Sequence, residues 1–138
     1  MNSSLLSYSL TGIVAHFVYF GIAIVAVVLF IAIYVQITPH HEFRLIRQGN
    51  AAAAISLGGS FLGYTLPLAK AVSQSESIAD MLLWSGVALV AQLVAYGITR
   101  LVLPPLSAHV DQGKTASATF LAVIAVAVGL LNAAAMTA

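Results

Sequence analysis

The chain has 138 residues, of which 61% are hydrophobic and only 7% charged, with a net charge of +1 and no cysteine. Water-soluble domains carry about 25% charged residues, so a soluble globular domain is excluded, and with it any disulfide or thiolate metal chemistry. A near-neutral chain without a basic stripe also excludes nucleic acid as a partner.

Four apolar runs follow one another: Leu10–Ile37, Ala51–Ala71, Ile78–Leu103 and Thr115–Ala138. Each reaches about 20 residues, the length an α-helix needs to cross the hydrocarbon core at about 1.5 Å per residue. The pattern predicts an all-α membrane protein, one domain over 1–138, surrounded by lipid. The first run is too long for a signal-peptide core, Met1–Tyr8 lacks a basic segment, and no small-residue cleavage site follows Tyr34-Val35-Gln36-Ile37; it is expected to be a retained helix. It carries His16, which fits a hydrogen-bonded interior histidine or, with Tyr19 and Phe20, an interfacial aromatic belt.

Pro39 ends that run and opens the connection Thr38–Asn50. His40-His41-Glu42 has no third ligand at a defined spacing and is not an H-E-x-x-H helix, so no metal is expected there. Glu42 with Arg44 and Arg47 reads as an exposed contact surface. Asn50 stands where the second apolar run needs an N-cap, its amide oxygen free to accept a first-turn N–H that lipid cannot satisfy. Anion binding at these helix starts is the functional alternative.

The second run holds the pair Gly59 and Gly63 in G-x-x-x-G spacing, extended by Ala52 and Ser56. Small residues let helix backbones approach where lipid offers no hydrophobic drive, so this stripe is expected to pack against Ala118, Ala122, Ala125, Gly129 and Ala133 of the fourth run, or against a second subunit. Lys70 ends the second run; Ser75 or Ser77 is expected to cap the third, with Asp80 in its first turn, where a carboxylate suits the helix dipole. Gln92 falls near mid-bilayer, with Tyr96 and Thr99 one and two turns on, and Ser56, Ser60 or Tyr64 is its expected partner. Pro104-Pro105 opens the last connection. Lys114 cannot accept a hydrogen bond, so Thr115 is the expected cap of the fourth run.

The connections Thr38–Asn50 and Pro104–Lys114 lie on one side and hold or border Arg44, Arg47, Arg100 and Lys114; the other side has Lys70 alone. Short-loop basic residues stay cytoplasmic, so both termini are expected to face outward. That places His16, Lys70, Asp80 and Asn132, one from each run, in the outer third of the bilayer. An ion pair of Lys70 with Asp80 and snorkelling of Lys70 are the structural readings; a proton- or cation-handling layer is the functional one.

The connections end alike, Gln48-Gly49-Asn50-Ala51-Ala52-Ala53-Ala54 against Gln112-Gly113-Lys114-Thr115-Ala116-Ser117-Ala118. Helix, connection, helix thus recurs, about 1–72 and 73–138, as two tandem pairs that point the same way through the membrane.

The stretch Thr38-Pro39, Glu42-Phe43-Arg44-Leu45-Ile46 and Gly49-Asn50-Ala51-Ala52-Ala53-Ala54-Ile55 resembles the small bacterial inner-membrane proteins of Domain of Unknown Function 350, the YjfL-like family. Gly58-Gly59, Leu62-Gly63, Leu66-Pro67-Leu68-Ala69, Ser77-Ile78-Ala79-Asp80, Trp84 and Gly129-Leu130-Leu131-Asn132-Ala133-Ala134 extend the likeness. Lys114, where the second half of such proteins often has Asn, and His40-His41 depart from it. The resemblance implies four membrane helices in a duplicated unit, no established activity, and an association with envelope-stress and polyamine-related gene clusters.

No nucleophile elbow, phosphate-cradling loop or spaced carboxylate pair occurs, so neither enzyme activity nor a cofactor is expected. Two functions remain. One is a small homo-oligomeric conduit or transport component working through the outer polar layer. The other is a non-catalytic scaffold that meets membrane-stress partner proteins through Glu42, Arg44 and Arg47.

Overall fold

In the computed structural model, which describes residues 2–136, the chain is all helical. Its elements are α1 (Ser3–Ile37), α2 (Glu42–Arg47), α3 (Ala51–Gln74), α4 (Ile78–Val102), α5 (Leu106–Asp111) and α6 (Thr115–Ala135). The four long helices are each long and apolar enough to cross a membrane. The two longer connections, α1 to α3 and α4 to α6, each fold one further short helix. The ends differ from the apolar runs where polar residues extend a helix: α1 starts at Ser3 beneath Asn2, and α3 continues to Gln74.

Local chemistry explains each boundary. Thr38 precedes Pro39 and is extended (φ −74°, ψ 131°), because the proline ring disfavours helical geometry in the residue before it; Leu103 leaves α4 in the same way ahead of Pro104. Asn50 Oδ1 accepts from Ala53 N at 3.1 Å and Ser77 Oγ from Asp80 N at 3.1 Å, so each side chain satisfies one first-turn N–H of α3 or α4. α6 departs from expectation. Thr115 is its first helical residue rather than its cap, and Lys114 occupies the cap position with no side-chain bond to the helix. The turn geometry decides this, since Gly113 (φ 76°) reverses the chain one residue before Lys114, just as Gly49 (φ 84°) does before Asn50.

The centre of the molecule is the contact of α3 with α6. A Cβ on Gly59 would collide with the backbone of Ala122, and one on Gly63 with the carbonyl of Ala125. One on Gly129 would fall 2.7 Å from Gly63 Cα. The helices therefore touch backbone to backbone, which is how small residues hold membrane helices together. Ser56, on the same helix as Gly59, is buried and returns its hydroxyl to the Ala53 carbonyl at 3.1 Å. Pro67, inside α3, has no N–H to give the Gly63 carbonyl, and that carbonyl sits at the α6 contact.

α4 closes one side of this pair. Gln92, buried, donates from Nε2 to the Ala125 carbonyl at 3.1 Å, so its partner is the α6 backbone and not Ser56, Ser60 or Tyr64. Gln92 Nε2 reaches Ala125 because Gly63 has no side chain, and a Cβ there would lie 2.7 Å from Nε2. α1 packs only by its C-terminal half, through a column of rings: Phe30 stacks on Tyr64 (centroids 4.3 Å) and Tyr34 meets Tyr96 edge-on (5.7 Å). Between α1, α3 and α4 lies an apolar groove of about 620 Å³, open to the lipid side and lined by Phe17, Val25, Leu29, Leu82 and Leu89 among others.

Candidate functional site

The polar residues of the sequence gather at the end of the bundle where α2 and α5 lie together. Asn50 pins the two connections: its Nδ2 donates to the Val110 carbonyl at 2.9 Å and the Asp111 carbonyl at 3.3 Å. Ser107, at the start of α5, lies 2.7 Å from His40 Nδ1, and His109 Nδ1 lies 2.7 Å from Ser117 Oγ.

Glu42 is drawn inward by this arrangement. It stands at the first position of α2, and its carboxylate turns into the bundle at 1% exposure. The expectation of an exposed Glu42, Arg44 and Arg47 surface is corrected here: Arg44 and Arg47 are exposed and Glu42 is not. Pro39 causes the inversion, because the extended Thr38 bends the chain back so that Glu42 lies over the end of α1. Thr38 Oγ1 hydrogen-bonds Glu42 Oε1 and also lies 3.2 Å from the Tyr34 carbonyl.

His40 Nε2 sits 3.3 Å from Glu42 Oε1, within ion-pair range but off the direction of a hydrogen bond. Next inward come Tyr34, whose hydroxyl accepts from Ser60 Oγ at 2.9 Å, and Tyr96, whose ring packs on Tyr34. Ser107 and Arg100 lie beside the Tyr96 hydroxyl without reaching hydrogen-bond geometry. Glu42 Oε2, His40 Nε2, Tyr96 OH and, one turn deeper on α4, Gln92 Oε1 are buried without a protein partner. Leaving such groups dry costs several kcal/mol each in a membrane interior.

Among the described residues no three His, Asp or Glu side chains converge as a metal site. Only two, His40 and Glu42, approach one another at this end; His41 is exposed.

The outer polar layer is less assembled. Lys70 and Asp80 line one small cleft of about 100 Å³ with Gln74, Ser75 and Trp84, yet form no ion pair. Asn132 is half-buried with Nδ2 unpartnered. His16 is exposed on α1, stacked over Phe20 (centroids 6.0 Å, interplanar angle 6°), beside a separate shallow cleft that includes Val72. Lys70 and Asp80, expected near one another, line one cleft without pairing, and the burial of Glu42 beside His40 was not expected. The available signal was Glu42 three residues after Pro39, in a chain with only 4 acidic residues.

Comparison with known proteins agrees with the membrane architecture. The family profile "Domain of Unknown Function (DUF350)" matches residues 7–136. The chain is 41% identical over 128 residues to the UPF0719 inner membrane protein YjfL of Escherichia coli K12, covering 93% of this chain and 97% of that one. It is 29% identical over 86 residues to the UPF0719 transmembrane protein YshE of Bacillus subtilis, covering 62% and 64% respectively. No solved structure matches. With four membrane-length helices and a family match over nearly its whole length, the protein is a multi-pass membrane protein of the DUF350 family.

Proposed function

We propose that the protein is a non-catalytic inner-membrane transport component in which Glu42, with His40, takes up and releases a proton at the connection end. The observation that supports this reading is that the buried carboxylate has a partner in both protonation states. Ionised, Glu42 Oε1 accepts from the Thr38 hydroxyl. Protonated, it donates to the Thr38 oxygen, and the Thr38 hydrogen turns to the Tyr34 carbonyl 3.2 Å away. The His40 imidazole lies 3.3 Å from the same oxygen. The backbone contact of Gly63 with Gly129 leaves no room for a pore between α3 and α6 of one chain.

The name of the E. coli relative supports an inner-membrane location, and the basic connections favour a cytoplasmic Glu42 end with both termini outside. A tandem duplication is supported by the matched turns: Asn50 (φ −76°, ψ 101°) and Lys114 (φ −76°, ψ 104°) follow glycines of positive φ. The exposed apolar groove beside α1 favours a homo-oligomer.

The deciding experiment is proton flux into liposomes holding the parent or Glu42→Gln at equal reconstitution and helix content. Flux lost in the variant supports the reading; parental flux in the variant overturns it. Asp80→Asn in the same assay tests the outer cleft.

A second reading, a scaffold for membrane-stress partners, is favoured by one feature: Phe43 (45% exposed), Arg44 and Arg47 all face outward on α2. It predicts a co-purifying partner that is lost in the double variant Arg44→Ala, Arg47→Ala. A pull-down unchanged by both substitutions removes it.

A further inference from the structure

α1 is longer than the bundle needs. It has 35 residues, against 24, 25 and 21 in α3, α4 and α6. Side-chain contacts fix its register: Tyr34 meets Ser60 and Tyr96, Phe30 stacks on Tyr64, and Phe20 shares a cleft with Val72. α3 runs antiparallel to α1, so its last residue, Gln74, falls level with Phe20. α4 runs parallel to α1 and starts level with His16. α6 follows α3, Gly59 meeting Ala122 and Gly63 meeting Gly129, and its described part reaches no further. Ser3–Val14 thus stands past the other three helices by about 12 residues, or about 18 Å.

This overhang carries an apolar stripe. Leu6, Leu10 and Ile13, continued by Phe17, recur at intervals of four, three and four residues, the spacing of a helix-pair seam. They are 48%, 55%, 52% and 67% exposed. Acyl chains do not cover the first three. The hydrocarbon core is about 30 Å thick, and α3 and α4 already span about 36 and 38 Å. Leu6, Leu10 and Ile13 lie beyond those helices, among headgroups and water.

A second copy of the chain fits this stripe. Copies of one chain share an orientation in the membrane, so a two-fold axis along the membrane normal sets each residue of α1 opposite itself at the same height. Ser3–Ile37 holds no Asp, Glu, Lys or Arg, so identical faces meet without like-charge repulsion. The area suffices as well. The chain exposes 7883 Å², whereas a compact monomer of 14.3 kDa exposes about 6,800 Å². The surplus of about 1,100 Å² exceeds the roughly 800 Å² that each partner buries in a standard interface. Phe17 also lines the apolar groove beside α1, which makes stripe and groove one continuous surface.

We infer that two copies pair in parallel along the outer half of α1, with Leu6, Leu10, Ile13 and Phe17 as the seam. The seam gives the homo-oligomer its surface and rests on that reading; it is independent of proton exchange at Glu42.

The chain has no cysteine, so single-cysteine variants of the full chain in lipid bilayers report the seam directly. Like residues in a parallel seam come within about 7 Å between Cα atoms, the reach of a disulfide. Under copper-phenanthroline oxidation at high lipid-to-protein ratio, Leu6→Cys, Leu10→Cys and Ile13→Cys are expected to cross-link at least five-fold faster than Tyr8→Cys and Ala15→Cys, which lie on the opposite face of α1. Equal rates at all five positions overturn the seam. A second measurement is energy transfer between donor- and acceptor-labelled copies carrying Gln112→Cys. Adding Leu10→Lys, outside the packed bundle, is expected to lower that transfer several-fold with helix content unchanged. Parental transfer in Leu10→Lys overturns the seam and leaves a homo-oligomer on another face. No transfer without Leu10→Lys overturns the seam and the homo-oligomer together.

Discussion

Gly129 faces Gly63 so closely that the Cα–H a methyl would replace on Gly129 points at the Gly63 carbonyl oxygen. Gly63 in turn directs its own Cα–H at the Ala125 carbonyl, which also accepts from Gln92 Nε2 at 3.1 Å. Pro67 leaves the Gly63 carbonyl without its usual helical donor. Two weak Cα–H contacts and one amide bond thus join α3, α4 and α6 at a single level. Each weak contact contributes about half of an ordinary hydrogen bond at most, so close packing carries most of the stabilisation.

Gly129→Ala is therefore expected to destabilise the bundle by about 1–3 kcal/mol, the usual range for forcing a methyl into a filled core. Gly86→Ala, where a Cβ meets nothing within 4 Å, is the matched control and is expected to be close to neutral. Unfolding of both variants by sodium dodecyl sulfate titration in mixed micelles measures the difference. Equal shifts would contradict the contact.

Gln92→Leu removes the bond to Ala125 while keeping a similar volume. Interhelical hydrogen bonds in membranes average about 0.6 kcal/mol, so a loss of that order is expected in the same titration. A loss several times larger would mean that Gln92 organises more than one helix contact.

The missing cap on α6 offers a gain. Lys114→Asn places an acceptor at the position that Asn50 fills for α3, on a backbone of nearly the same φ and ψ. The expected stabilisation is about 0.5–2 kcal/mol, read as a higher midpoint of thermal unfolding. Asn50→Ala should move the midpoint down by at least as much, because it loses the cap of α3 and both bonds to α5.

Glu42 separates structure from function by two substitutions. Glu42→Gln keeps an oxygen for Thr38 and is expected to fold with the helix content of the parent. Glu42→Ala leaves Thr38 only its backbone carbonyl partner and empties a buried position, and is expected to lose about 1–3 kcal/mol. Circular dichroism during heating distinguishes the two variants. If both melt like the parent, Glu42 contributes nothing to the packing of α2.

Much of this architecture was legible in the residues. Apolar run length placed four membrane helices because lipid permits no unsatisfied backbone, and Pro39 and Pro104 marked where α1 and α4 stop. Glycine spacing singled out the stripe of Gly59 and Gly63, since close approach needs a missing side chain whatever the partner. The two short helices α2 and α5 were not legible, for six residues carry too little periodicity to stand out in a polar connection.

What a sequence alone determines here is which segments must leave water, because that depends on composition summed along the chain. Which polar side chains meet is a property of the third dimension. Glu42 and Ser107 are far apart in sequence, and His40 lies against both only because Pro39 folds the first connection back over the bundle. Likewise Gln92 pairs with Ala125 because Gly63 leaves room beside it. Run length fixed the membrane; backbone bends and absent side chains decided where its few charges and hydrogen bonds came together.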